Sequence, residues 1–119
     1  MPAQQKKDVA VDAAINEVRL VGRISQAPEE RMLPSGDVLW TFRVVVPRAE
    51  PSGRGTVDAL ECAAWSPRAR RSVASWRADD VVEVSGAVRR RFFRTGAGAA
   101  SRVEVEVSRG RLIRRAGSG

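Results

Sequence analysis

The chain has 119 residues, 43% of them hydrophobic, enough for one compact domain with a modest core and too few for two. Its formal charge is +7, and 19 of the 21 basic residues are arginine, whose planar fork suits phosphate pairing and stacking, so a polyanionic partner is favoured. With no histidine and one cysteine, Cys62, an intramolecular disulfide, a zinc set, a Ser/His/Asp triad and a Cys/His pair are all excluded; no catalytic residue, metal or cofactor is expected.

Residues 1–11 lack the apolar core of a secretory signal, and no run is apolar enough to span a bilayer, so a cytoplasmic protein without membrane contact is expected. Residues 1–14 are polar, alanine-rich and aperiodic, which reads as a flexible arm carrying Lys6 and Lys7. In 16–24, Val18, Leu20 and Ile24 alternate with Glu17, Arg19, Val21 and Arg23, the pattern of a half-buried antiparallel strand with Val21 turned outward. Pro28 ends that strand, and Pro34, Ser35, Gly36 and Asp37 form a turn into a second strand over 38–46. There Trp40 shares a face with Val38, Phe42 and Val44, which places it in the core, while Arg43 lies with Leu39, Thr41 and Val45 on the other face.

A loop rich in breakers carries Arg48 and Arg54 and leads to a third strand over 57–65. Its parity puts Trp65 with Ala59, Glu61 and Ala63 on one face, and Leu60, Cys62 and Ala64 toward the core, where Cys62 is a small buried hydrophobe. Ser66 and Pro67 read as an N-cap and first helical residue, and Ala69, Val73 and Trp76 recur at helical spacing up to Arg77. The adjacent pairs Glu29/Glu30 and Asp79/Asp80 look like solvated turns.

The fourth strand, 81–94, alternates through Val82, Val84, Gly86 and Val88 and then runs into Arg89, Arg90, Arg91, Phe92, Phe93 and Arg94. Arg89, Arg91 and Phe93 project together, opposite the valines. Two readings stand level: a surface that pairs phosphates and stacks bases, or a solvated arginine cluster with both phenylalanines closing the core. A glycine- and alanine-rich loop over 95–101 precedes a last strand, in which Val103, Val105 and Val107 alternate with charges and which continues to Ile113. Five strands with one helix between the third and fourth is the plan of an all-β OB-fold, a five-stranded Greek-key barrel that holds oligonucleotides on one face. The expected layout is an arm over 1–14, the OB domain over 15–113 and a short basic tail over 114–119.

Three strings carry a family resemblance: 16–24 followed by Pro28 and Glu29; Leu33, Pro34, Ser35, Gly36; and 80–89. In this order, without large gaps from 16 to about 113, the chain resembles the bacterial single-stranded DNA-binding protein family. The resemblance implies non-catalytic, sequence-independent binding and protection of single-stranded DNA in replication, repair or recombination, in the nucleoid-associated cytoplasm. It places Trp65 and Phe93 at stacking positions and Arg89 and Arg91 at basic positions beside them. Arg43, Arg48, Arg54 and Arg94 complete the expected nucleic-acid-binding set. It also implies a homo-oligomer, a tetramer before a dimer.

The departures from the family pattern are Ala59 in place of a stacking aromatic, Glu61 in place of a basic residue, and no aromatic over 47–56. With each stacked base contributing about 1–3 kcal/mol, weaker and salt-sensitive binding is expected. The chain ends on Arg114, Arg115, Ala116, Gly117, Ser118 and Gly119, so recruitment of repair enzymes through an acidic tail is not supported. Two alternatives remain: an OB-fold interaction module of a primosome or repair complex, and a single-stranded RNA binder.

Overall fold

A computed structural model describes residues 13–49 and 55–117. The strand expected at 16–24 forms as β1 (Val18–Ile24), with Ile24 buried and Val21 exposed. Glu29 and Glu30, read as a solvated turn, open instead a short strand β2 (Glu29–Met32) that pairs with the start of β3 (Val38–Pro47). Every residue of β2 is exposed, so it carries no apolar alternation to betray it; the turn ahead of β3, with Gly36 at φ 91°, brings it into register.

β4 (Val57–Ala64) runs antiparallel to β3, from Pro47↔Val57 to Trp40↔Ala64. Helix α1 (Pro67–Val73) starts where expected: the Ser66 side chain accepts from the Ala69 N–H at 3.2 Å and Pro67 occupies the first turn. It stops short of Arg77, yet Trp76 still enters the core, edge-on to Phe42 with centroids 5.4 Å apart.

β5 (Val81–Thr95) and β6 (Gly98–Arg114) form a hairpin longer than expected. Ala99, Ala100 and Ser101, assigned to a loop from their composition, are ladder residues opposite Arg94, Phe93 and Phe92.

The sheet order is β1-β5-β6-β4-β3-β2, and Arg23↔Val45 and Ile24↔Val44 join β1 to β3 and close it. β4 and β6 run parallel over Cys62–Ala64 and Val105–Val107. The fold is an OB barrel with α1 in the expected slot and β2 as an added edge strand. Its core gathers Ile24, Phe42, Val44, Cys62, Ala64, Val82, Val84, Val105 and Val107; Ala69, Val73 and Trp76 join it from the helix, and Trp40 packs against it half-buried.

Burial departs from strand parity at two places. Leu39, Val45 and Ala63 lie on the face assigned to solvent, yet they are buried. Val88 shares the core face of Val82 and Val84 but is exposed, because β1 pairs with β5 only through Gly86.

Asp79 is exposed at φ 69°, as a turn residue would be. Asp80, expected in the same solvated turn, is fully buried. Its carboxylate accepts from the Arg77 N–H at 2.8 Å, the Ala116 N–H at 2.9 Å and Arg115 Nη1 at 2.8 Å. Burial alone would raise its pKa; the two backbone donors and the guanidinium outweigh burial and hold it below the ordinary carboxylate value.

Candidate nucleic-acid interface

Strand alternation aligns four strands' worth of side chains on the face away from the core. Arg43 stands opposite Glu61 across β3 and β4, Ala63 opposite Glu106 across β4 and β6, and Arg89 and Arg91 opposite Glu104 and Arg102 across β6 and β5. The guanidiniums on this face are not free. Arg43 Nε donates to Glu61 at 2.9 Å, Arg89 Nε to Glu106 at 3.2 Å, and Arg91 to Glu106 at 2.9 Å and to Glu104 at 3.2 Å. Arg102 Nε adds a second ion pair to Glu104 at 3.4 Å. The Glu104 side chain is only 3% exposed, a nearly dry carboxylate held between two cations.

The aromatic residues join the same network. The Arg91 guanidinium lies over the Trp65 ring at 4.9 Å, and that of Arg102 over Phe93 at 5.9 Å. Trp65, Arg91, Glu104, Arg102 and Phe93 therefore form one unbroken chain of contacts across the face. Trp65 is half-buried, and its indole N–H is buried with no hydrogen-bond partner. A shallow groove lined by Ser25, Thr41, Arg43 and Glu61 continues the face toward β2.

The remaining expected residues are distributed differently. Arg48, at the end of β3, donates from Nη2 to Asp58 at 2.8 Å. Arg54 lies outside the described residues. Arg94 alternates with Phe93, so it leaves from the opposite face with Phe92 and Arg90. Neither phenylalanine closes the core: Phe92 is 76% and Phe93 44% exposed, which removes the apolar reading of this pair.

Sequence reasoning missed Arg102, Glu104 and Glu106. Their signal was present, because charges alternating with Val103, Val105 and Val107 must face outward, where they meet the arginines of the neighbouring strand. On the same outer surface farther along β5, Glu83 is held by Arg111 and Arg19, which keep its carboxyl below the ordinary value.

Among the described residues no cluster of His, Cys, Asp or Glu has the makings of a metal site, and no helix is long and apolar enough to cross a membrane. The single-strand binding protein family model matches residues 15–113. A curated relative, single-stranded DNA-binding protein 3 of Listeria innocua, is 31% identical over 81 residues. That alignment covers 66% of this chain and 51% of the relative, so the chain spans about half the length of the curated protein it matches. Among solved structures, a Plasmodium falciparum SSB in complex with single-stranded DNA superposes with a TM-score of 0.68 at 20% identity, over 85% of this chain and 95% of that one.

Proposed function

The chain belongs to the single-strand binding protein family, and on that footing we propose that it binds single-stranded DNA without sequence preference and without catalysis, serving replication, repair or recombination. The observation that carries this reading is the continuous contact chain from Trp65 to Phe93, which interleaves aromatic rings with guanidiniums on one sheet face. Residues 15–113 act as the binding unit, in the nucleoid-associated cytoplasm. The protein works as a homo-oligomer, a tetramer before a dimer, with the exposed Val21 of β1 available to a subunit contact.

The ion pairs divide the arginines by role. Glu61 and Glu106 are well solvated, so Arg43 and Arg89 exchange them for phosphates at little cost, as Arg48 does with Asp58. Arg91 is different. Removing it from Glu104 strips a buried carboxylate of a partner, a cost of roughly 3–5 kcal/mol when such a pair is broken. It stays in place over Trp65 and offers its flat guanidinium as a stacking surface, as arginine planes do for unstacked bases. Phe93, partly exposed at the far end of the contact chain, supplies the second platform.

The test is fluorescence anisotropy with labelled oligo-dT, a matched RNA and a matched duplex, on the wild type and Trp65→Ala. The expected result is preference for oligo-dT over duplex, with a loss in the variant of about 1–3 kcal/mol, or roughly fivefold to 150-fold in affinity. Equal, salt-erased binding to single strand and duplex would reduce the face to a generic basic patch and favour a partner-docking role. Tighter RNA binding would move the assignment to RNA.

A further inference from the structure

Beyond Val88 the β5–β6 hairpin leaves the barrel as a two-stranded ribbon: β1 pairs with β5 only through Gly86, and β4 meets β6 only at Val105–Val107. A ribbon has two faces. One carries Arg89, Arg91 and Phe93 with Arg102 of β6, and its three guanidiniums are largely compensated by Glu104 and Glu106. The other carries Val88, Arg90, Phe92 and Arg94 from β5, with Val103 opposite Arg90 and Ser101 opposite Phe92.

This second face has no carboxylate, since both glutamates of the neighbouring β6 segment project to the first face. Arg90 donates only to Ser101 Oγ, at 3.1 Å, and Arg94 has no partner among the described residues. Between them stands Phe92, at 76% exposed, with Val88 and Val103 exposed beside it. Residues two apart on a strand are separated by about 6.6 Å, so each guanidinium flanks the ring at the reach of one backbone-to-base step. The uncompensated charge disfavours docking of the same face from a second copy, because like charges would meet in the contact. It suits a polyanion, and the ring between the cations suits one with free bases.

We propose that this face of the ribbon is a second, separate track for single-stranded DNA, so that a long strand passes around the ribbon and engages Phe92, Arg90 and Arg94 after it has filled the first face. The proposal rests on the single-stranded DNA reading given above, and it enlarges the footprint rather than replacing the first face. Short oligonucleotides fill the first face alone; long ones use both.

The experiment compares labelled oligo-dT of about eight nucleotides, within the 4–16 that one OB fold holds, with one several times longer. Each is titrated into the wild type, Phe92→Ala, Arg90→Gln and Trp65→Ala, with solution masses from light scattering. The side chains of Phe92 and Arg90 are exposed, so their replacement leaves the core untouched. Short-oligonucleotide affinity is expected to change less than about twofold in Phe92→Ala and Arg90→Gln, while long-oligonucleotide affinity falls about tenfold in Phe92→Ala, the scale of one lost stack. Arg90→Gln should lower the long-strand salt slope by about 0.7, one phosphate contact. Trp65→Ala should weaken both lengths. If long and short strands respond alike to Phe92→Ala, or if that variant changes the oligomeric mass, the second track is overturned while the first face stands. If the wild type binds neither length, both readings fall.

Discussion

Two buried residues give the clearest expectations at the scale of single side chains. Cys62 lies in the core, and burial, with Glu61 next to it, pushes its thiol up to about 12. A maleimide at pH 8 is expected to leave the native protein unmodified and to label it fully in denaturant; rapid native labelling would contradict the burial. The raised value favours the protonated thiol in the folded state. This contribution is present below the unfolded value of about 8.5 and is lost as pH rises through the folded one. Asp80 has the opposite sign. Its lowered pKa means that its stabilisation is present above the unfolded value of about 3.9 and is lost as pH falls through the folded one. Asp80→Asn keeps the size but loses charge-assisted hydrogen bonds, at a cost of about 2 kcal/mol near neutral pH. In urea titrations the gap between variant and wild type should close as pH drops below about 4; a pH-independent gap would mean that the charge is immaterial. Asp80 was misread from sequence because adjacent aspartates after a helix look solvated, and nothing local reveals that Arg115, 35 residues away, folds back onto one of them.

Among the elements, those with strong alternation were legible: β1, the inner half of β5 and the middle of β6 follow period-two patterning, β3 and β4 were found from their apolar runs although parity failed at Leu39, Val45 and Ala63, and Ser66–Pro67 marks the helix start. What escaped was backbone that has no side-chain signature. β2 is wholly exposed, and Ala99–Ser101 are small residues drawn into the ladder by the strand opposite. The candidate site divides in the same way: Trp65, Arg89, Arg91 and Phe93 came from parity and resemblance, whereas the ion-pair ladder depends on register between β5 and β6. That register contains a bulge, in which Ser85 faces Arg109 and Gly86 faces Val107. At Gly86 the strands approach so closely that a Cβ would overlap the Glu106 carbonyl oxygen, a backbone atom with no freedom to yield. Gly86→Ala should therefore lower stability by roughly 1–3 kcal/mol in denaturant melts and, by displacing Glu106, disturb the first face as well. An unchanged melt would show that the bulge relaxes freely.

For the whole molecule, a formal charge of +7 overstates the field that a bound DNA strand would meet on the first face, where Glu61, Glu104 and Glu106 offset three of the four charges of Arg43, Arg89, Arg91 and Arg102. Glu106→Gln releases Arg89 from its carboxylate, so tighter binding of short oligonucleotides at low salt is expected, with a steeper loss as salt is raised. The log–log salt plots of variant and wild type would coincide if the ladder had no part in binding. The ladder also changes what the solvent does. When phosphates take Arg43 and Arg89, Glu106 keeps Arg91 but Glu61 is left without its partner, and a freed carboxylate in water gathers a screening cloud of sodium or potassium. Binding then draws small cations onto the protein while it sheds them from the DNA, and the two movements partly cancel. Binding stays salt-sensitive, as the missing stacking aromatics imply, but with a slope shallower than the net charge alone would give, because part of the released cation is taken back by the freed carboxylate.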